Sequence, residues 1–151
     1  MNLGALFQNE VLITMLTAWF LAQMIKMPFD YLFTRRWNWG LLLSVGGMPS
    51  SHTSLLTSAT LATGLFYGFE TPLFALGVAI TMVVTYDAAG SRRQVGMHAQ
   101  RINFVFQELL RGHTVDQKEL REVLGHTPLE VTGGVLFGMF VATLMWSFWP
   151  F

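Results

Sequence analysis

Val131-Thr132-Gly133-Gly134-Val135-Leu136-Phe137-Gly138-Met139-Phe140-Val141-Ala142-Thr143-Leu144-Met145-Trp146-Ser147-Phe148-Trp149-Pro150-Phe151 contains no Asp, Glu, Lys or Arg. A hydrocarbon core of ~30 Å is crossed by about 20 helical residues, with ~17 as the lower limit, so this stretch reads as a membrane span. Working back along the chain, Leu3 to Ile25 carries a single charge, Glu10, and is long enough to span alone. It lacks the basic start and small-residue cleavage site of a signal peptide and reads as a retained span. Thr53 to Phe69 and Thr71 to Tyr86 are uncharged but short, at 17 and 16 residues. Ser54, Thr57, Ser58, Ala59, Thr60, Ala62, Thr63 and Gly64 let helix backbones approach closely in lipid, so these two spans are expected as inner helices. The composition agrees. Of 151 residues, 52% are hydrophobic and only 12% charged, about half the ~25% charge of a soluble domain. The expectation is a single all-α domain over residues 1–151: a polytopic transmembrane helical bundle of about four spans plus cytoplasmic surface helices. Nine basic against nine acidic residues give no pull toward nucleic acid, and zero cysteines exclude a disulfide framework or a thiolate metal site.

Four spans place both long connections on one side. Lys26, Arg35, Arg36, Arg92, Arg93, Arg101, Arg111, Lys118 and Arg121 are all nine basic residues, and every one falls on that side. Basic excess marks cytoplasmic loops, so both termini are expected outside, in a bacterial inner membrane. Trp37 and Trp39 on one side, and Trp146 and Trp149 on the other, stand where interfacial aromatic belts lie. Within the second long connection, Ile102, Val105, Phe106, Leu109 and Leu110 keep a helical period, which predicts an amphipathic helix on the headgroups or on a partner helix. Asp116 to Leu124 reads as a second short helix closed by Gly125. Thr127-Pro128-Leu129-Glu130 has the form of a capping box with Pro at the first helical position, so the last span starts abruptly there.

Two loop-to-helix junctions carry chemistry-bearing residues. Gly46-Gly47-Met48-Pro49-Ser50-Ser51-His52-Thr53 precedes the second span, and Gly125-His126-Thr127-Pro128 precedes the last. Helix N-termini offer unpaired N–H groups and the positive end of the helix dipole to an anion. Tyr86-Asp87-Ala88-Ala89-Gly90-Ser91-Arg92-Arg93 lies between them, where the third span leaves the membrane. Two histidines, two arginines and a lysine at one end of a bundle supply a nucleophile, an acid for a leaving oxygen, and cations for phosphate oxygens.

Met48-Pro49-Ser50-Ser51-His52 resembles the P-S-G-H motif of the type 2 phosphatidic acid phosphatase and vanadium haloperoxidase superfamily. That superfamily's last motif is S-R-x5-H-x3-D, continuing V-x-x-G into a membrane helix. Ser91-Arg92 followed by His98 fits the spacing, but Ile102 then occupies the acid position. His126-x3-Glu130-Val131-x-x-Gly134 fits the helix start instead, with Glu for Asp. It leaves 33 residues, 93–125, between Arg92 and His126, an insertion of 28 that the surface helices fill. The combined pattern, from Lys26 to Gly138, is similar to the divergent branch of that superfamily, a group of small membrane proteins.

The resemblance implies a membrane-embedded phosphatase that hydrolyses a lipid phosphate or diphosphate through a phosphohistidine, with no metal or other cofactor. His126 is then the nucleophile, Glu130 orients its ring, and His52 protonates the leaving group. Arg92, Lys26 and Arg93, with Ser50 and Ser51, hold the phosphate oxygens. The first motif of the superfamily, K-x6-R-P, is altered: Arg35 stands nine positions after Lys26, without the Pro. Four spans against a usual six imply a trimmed site or a homodimer. The altered motif, Glu130 and the insertion keep a second reading open, a non-catalytic lipid-phosphate binding or carrier protein. Asp87 is as well suited to a salt bridge with Arg92 or Arg93 as to catalysis. His98 stays the rival nucleophile.

Overall fold

The computed structural model describes residues 3–43, 46–109 and 126–149, and within these leaves the side chains of 3, 5, 43, 91–93 and 107–109 undescribed. After a short 3-10 turn, Leu3–Gln8, helix α1 runs Glu10–Thr34. Asn9 caps it, its side-chain oxygen accepting the Leu12 N–H at 2.8 Å, and Glu10 sits in the first turn at the positive end of the dipole. The helix does not stop at Ile25. It continues through Pro28 to Arg35, which closes it in the left-handed region at φ 55°. Lys26 therefore lies on the helix and not in a loop. A charge marks a change of environment and does not break a helix. Every fourth residue of α1, Thr14, Ala18, Ala22 and Lys26, is buried, so Lys26 ends an inward stripe of small side chains.

Helix α2 (Ser51–Tyr67) packs against α1, α3 (Pro72–Ala89) and α5 (Pro128–Phe148) and is the hub of the bundle. Ser51, Ser54, Ser58 and Ala62 are buried along one side of it. On α5, Gly134 and Gly138 meet α2 at Ser50, Thr53, Ser54 and Thr57. A Cβ on Gly134 would lie 2.6 Å from the Ser50 carbonyl oxygen, and one on Gly138 2.6 Å from that of Ser54. Only glycine permits these two backbones to touch, which is how helices gain contact in lipid, where the hydrophobic effect does not drive them together.

The contacts also fix direction. Tyr67, ending α2, donates to the Glu10 carboxylate of α1 at 2.9 Å, while Lys26, further along α1, reaches Ser51 at the start of α2. Thr60 of α2 pairs with Thr81 of α3 at 2.8 Å, and the start of α2 lies beside the start of α5. Helices α1 and α3 thus run opposite to α2 and α5, and the ends of α1 and α3 meet the starts of α2 and α5 at one end of the bundle.

Among the described residues, three helical stretches are long and apolar enough to cross a membrane: Glu10–Thr34, Pro72–Phe106 and Pro128–Phe148. At 17 residues, α2 sits at the ~17-residue lower limit. The expectation of an inner helix holds for α2 and fails for α3. Ala88 is the one buried residue described on α3, whereas Leu73, Leu76, Met82 and Val83 are exposed. Large apolar side chains gain nothing by turning inward from lipid, so small residues decide which helix is central.

The amphipathic helix is present and longer than its apolar period predicts. Helix α4 runs Ser91–Leu109 directly after Gly90, so Ser91-Arg92-Arg93 forms its first turn instead of a membrane-edge loop. Ile102, Val105 and Phe106 are exposed on it. Leu110, Arg111, His113, Lys118, Arg121 and the expected helix Asp116–Leu124 with its Gly125 cap lie outside the described residues.

Candidate functional site

The starts of α2 and α5 are joined by their backbones. The Ser50 N–H donates to the Glu130 carbonyl at 3.0 Å, and the Ser54 hydroxyl lies 2.8 Å from the Ser50 carbonyl and 3.1 Å from that of Gly134. Ser50 is the N-cap of α2. Its buried oxygen accepts the Thr53 N–H at 3.4 Å and the Thr53 hydroxyl at 3.0 Å. This is the local reason that a Pro-Ser-Ser segment opens a helix: a short side chain satisfies donors that the first turn leaves unpaired.

Lys26 enters from α1, 1% exposed. Its ammonium is 3.4 Å from the Ser51 hydroxyl oxygen and is attracted by the Glu130 carboxylate. Gly47 lies over its stem: a Cβ there would be 3.5 Å from Lys26 Cδ. One helical turn earlier, Gln23 donates to the carbonyls of Leu41 and Leu42 at 3.2 and 2.6 Å. It ties the 3-10 turn Trp39–Leu43 to α1, ahead of the Gly46-to-Ser50 segment.

His126 immediately precedes the N-cap of α5. It is 5% exposed, and its Nδ1 is 2.8 Å from Glu130 Oε2. A carboxylate only accepts, so Nδ1 carries a proton, and in the neutral ring the lone pair is then on Nε2. That Nε2 is buried and has no hydrogen-bond partner among the described residues. The His52 ring stands 6.5 Å from the His126 ring, centroid to centroid, tilted by 58°; His52 is itself exposed. Solvent-facing imidazole, buried imidazole and carboxylate follow one another, beside a buried ammonium and two helix N-termini. Such a set can bind an anion and move a proton.

The structure thus brings together His52, His126, Glu130, Lys26, Ser50 and Ser51. The side chains of Arg92 and Arg93 lie outside the described ones; their backbone forms the first turn of α4. Asp87 lines an apolar groove with Thr85, Tyr86 and Val135. His98 is exposed on α4, and Arg35 is exposed at the end of α1. Reasoning from sequence did not single out Gln23, and it named Ser54 only as a small packing residue and Thr127 only as a helix cap. A glutamine in an apolar span is a signal for the first, since a polar group there needs a partner. Nothing distinguishes Ser54 from the other small residues of α2.

The model of the Divergent PAP2 family matches residues 7–141 of the chain. The chain is also similar to the uncharacterized membrane protein YuiD of Bacillus subtilis (strain 168), with 33% identity over 151 residues that cover 93% of this chain and 96% of that one. No solved structure matches it.

Proposed function

Because this chain belongs to the Divergent PAP2 family, we propose that it is a membrane-embedded histidine phosphatase acting on a lipid phosphate or diphosphate. The observation that carries the reading is the state of His126: Nδ1 is held by Glu130 at 2.8 Å, Nε2 is buried with no hydrogen-bond partner among the described residues, and the ring stands 6.5 Å from that of His52, centroid to centroid. A nucleophilic histidine needs an oriented ring and a free lone pair on the opposite nitrogen.

In this reading His126 Nε2 attacks phosphorus, the bond from phosphorus to the leaving oxygen breaks, and protonated His52 gives its proton to that oxygen. Water then attacks the phosphohistidine while His52 takes a proton from it. The nitrogen–phosphorus bond breaks, and inorganic phosphate leaves. Lys26, Arg92 and Arg93 carry the positive charge for the phosphate oxygens, with Ser50 and Ser51 beside them, and Glu130 stabilises the charged ring. The nine-to-none distribution of basic residues supports a site on the cytoplasmic face, entered from the inner leaflet, with both termini outside.

Purified protein in detergent is expected to release phosphate from dioleoyl phosphatidic acid or an isoprenyl diphosphate, with inhibition by orthovanadate. His126→Ala is expected to abolish release while keeping the helical circular dichroism and monodispersity of the unmodified protein. Full activity in that variant sinks the assignment. Phosphatidic acid binding that survives His126→Ala, with no turnover by the unmodified protein, identifies a lipid-phosphate carrier instead.

A further inference from the structure

Glu130 Oε2 takes two hydrogen bonds at once. His126 Nδ1 lies 2.8 Å from it, and the Thr127 backbone N–H donates to it at 3.3 Å. The second bond is half of the capping box of α5. The other half is the Thr127 hydroxyl oxygen, which accepts the Glu130 N–H at 3.3 Å. We infer that Thr127 is a positioning residue for His126: its hydroxyl closes the box that folds Glu130 back over the helix start, where the carboxylate meets the imidazole.

A glutamate in the first turn of a helix is free to extend outward, and Glu130 retains 22% exposure. The box removes that freedom by fixing both ends of the residue, the backbone through Thr127 Oγ1 and the carboxylate through the Thr127 N–H. Pro128 at the first helical position holds the backbone between them. Because His126 directly precedes the cap, the carboxylate that completes the box also reaches its ring. The glutamate is explained by the same geometry. Reaching back from the third helical position to the cap N–H is the work of a Glu or Gln side chain; Asp is one methylene shorter. The chain carries Glu where the resembling motif carries Asp, and the box gives it a reason.

The inference rests on the reading of His126 as nucleophile for its kinetic arm, but its structural arm is independent of turnover. Thr127 is exposed, so removing its hydroxyl leaves no cavity, and Gly at an N-cap costs a helix only a few tenths of a kcal/mol relative to Thr. The test compares the unmodified full-length protein with Thr127→Gly and Thr127→Ser in detergent, using 15N-labelled histidine and identifying the His126 ring signals by their loss in His126→Gln. Thr127→Gly is expected to lose the predominance of the Nδ1-protonated tautomer at His126, and Thr127→Ser to keep it. Where phosphate release is measurable, Thr127→Gly lowers kcat roughly tenfold at unchanged KM, the low end of the loss on removing a histidine's orienting partner, and Thr127→Ser restores it. His126 signals identical in Thr127→Gly and the unmodified protein overturn the inference, as does a Thr127→Ser variant that behaves like Thr127→Gly. An unmodified protein that releases no phosphate defeats the phosphatase reading alone, because the ring signals still decide the role of Thr127.

Discussion

The interface of α2 with α5 and the outer side of α3 are built from the same apolar alphabet and do opposite work. On the first, Ser50, Ser54, Gly134 and Gly138 bring backbones into contact, and the Ser54 hydroxyl bridges to the Gly134 carbonyl. On the second, Leu73, Leu76, Met82 and Val83 point away from the bundle. In water the second set would form the core. In lipid, burial of large apolar groups is no longer rewarded, and close approach with satisfied polar groups is. The chemistry-bearing residues cluster at one end of the close interface.

Substitutions can break or sharpen that contrast. The largest effect is expected at Lys26, the buried cation beside the interface. Lys26→Met keeps the stem and removes the charge, and is expected to lower kcat for phosphate release roughly a hundredfold, comparable to losing one fixed donor to a developing oxyanion. Activity equal to that of the unmodified protein would remove Lys26 from the site. Next comes Gly138→Ala. Its new methyl would lie 2.6 Å from the Ser54 carbonyl, and overpacking of this kind costs about 1–3 kcal/mol, read as a lower midpoint of unfolding in detergent. Ser54→Ala removes a hydroxyl that contacts two carbonyls and is expected to cost about 1 kcal/mol in the same measurement. Smallest is Val83→Ala on the outer side of α3, where Val83 is 69% exposed; the midpoint is expected to move by less than about 0.5 kcal/mol. A large loss at Val83 with none at Gly138 would reverse the comparison.

Much of this was legible in the chain. The last span begins where Thr127-Pro128-Leu129-Glu130 says it does, because a capping box is local chemistry that no tertiary context needs to complete. The pairing of His126 with Glu130 follows from four positions of spacing across that same turn. The long connections were placed together by the alternation of four spans, and the helix directions agree with that arrangement. Other features needed three dimensions. Lys26 looked like the end of the first span because charge is a poor marker of where a helix stops; it lies well inside α1. The exposure of α3 depends on which neighbour α2 accepts, and that is decided by matching small residues on two distant segments. The clamp by Ser54 joins residues 80 positions apart, a separation at which no pattern in either segment announces the other.

The bond from the Ser50 N–H to the Glu130 carbonyl has a consequence for mutational tolerance. It joins the starts of α2 and α5 through peptide groups, so no exchange at either position that keeps the Ser50 N–H deletes it. Scanning positions 50 and 130 with alanine leaves that link in place and reports only on the cap and the carboxylate. Proline at position 50 is the replacement that removes the donor itself, and it is the one expected to separate the two histidines without touching either.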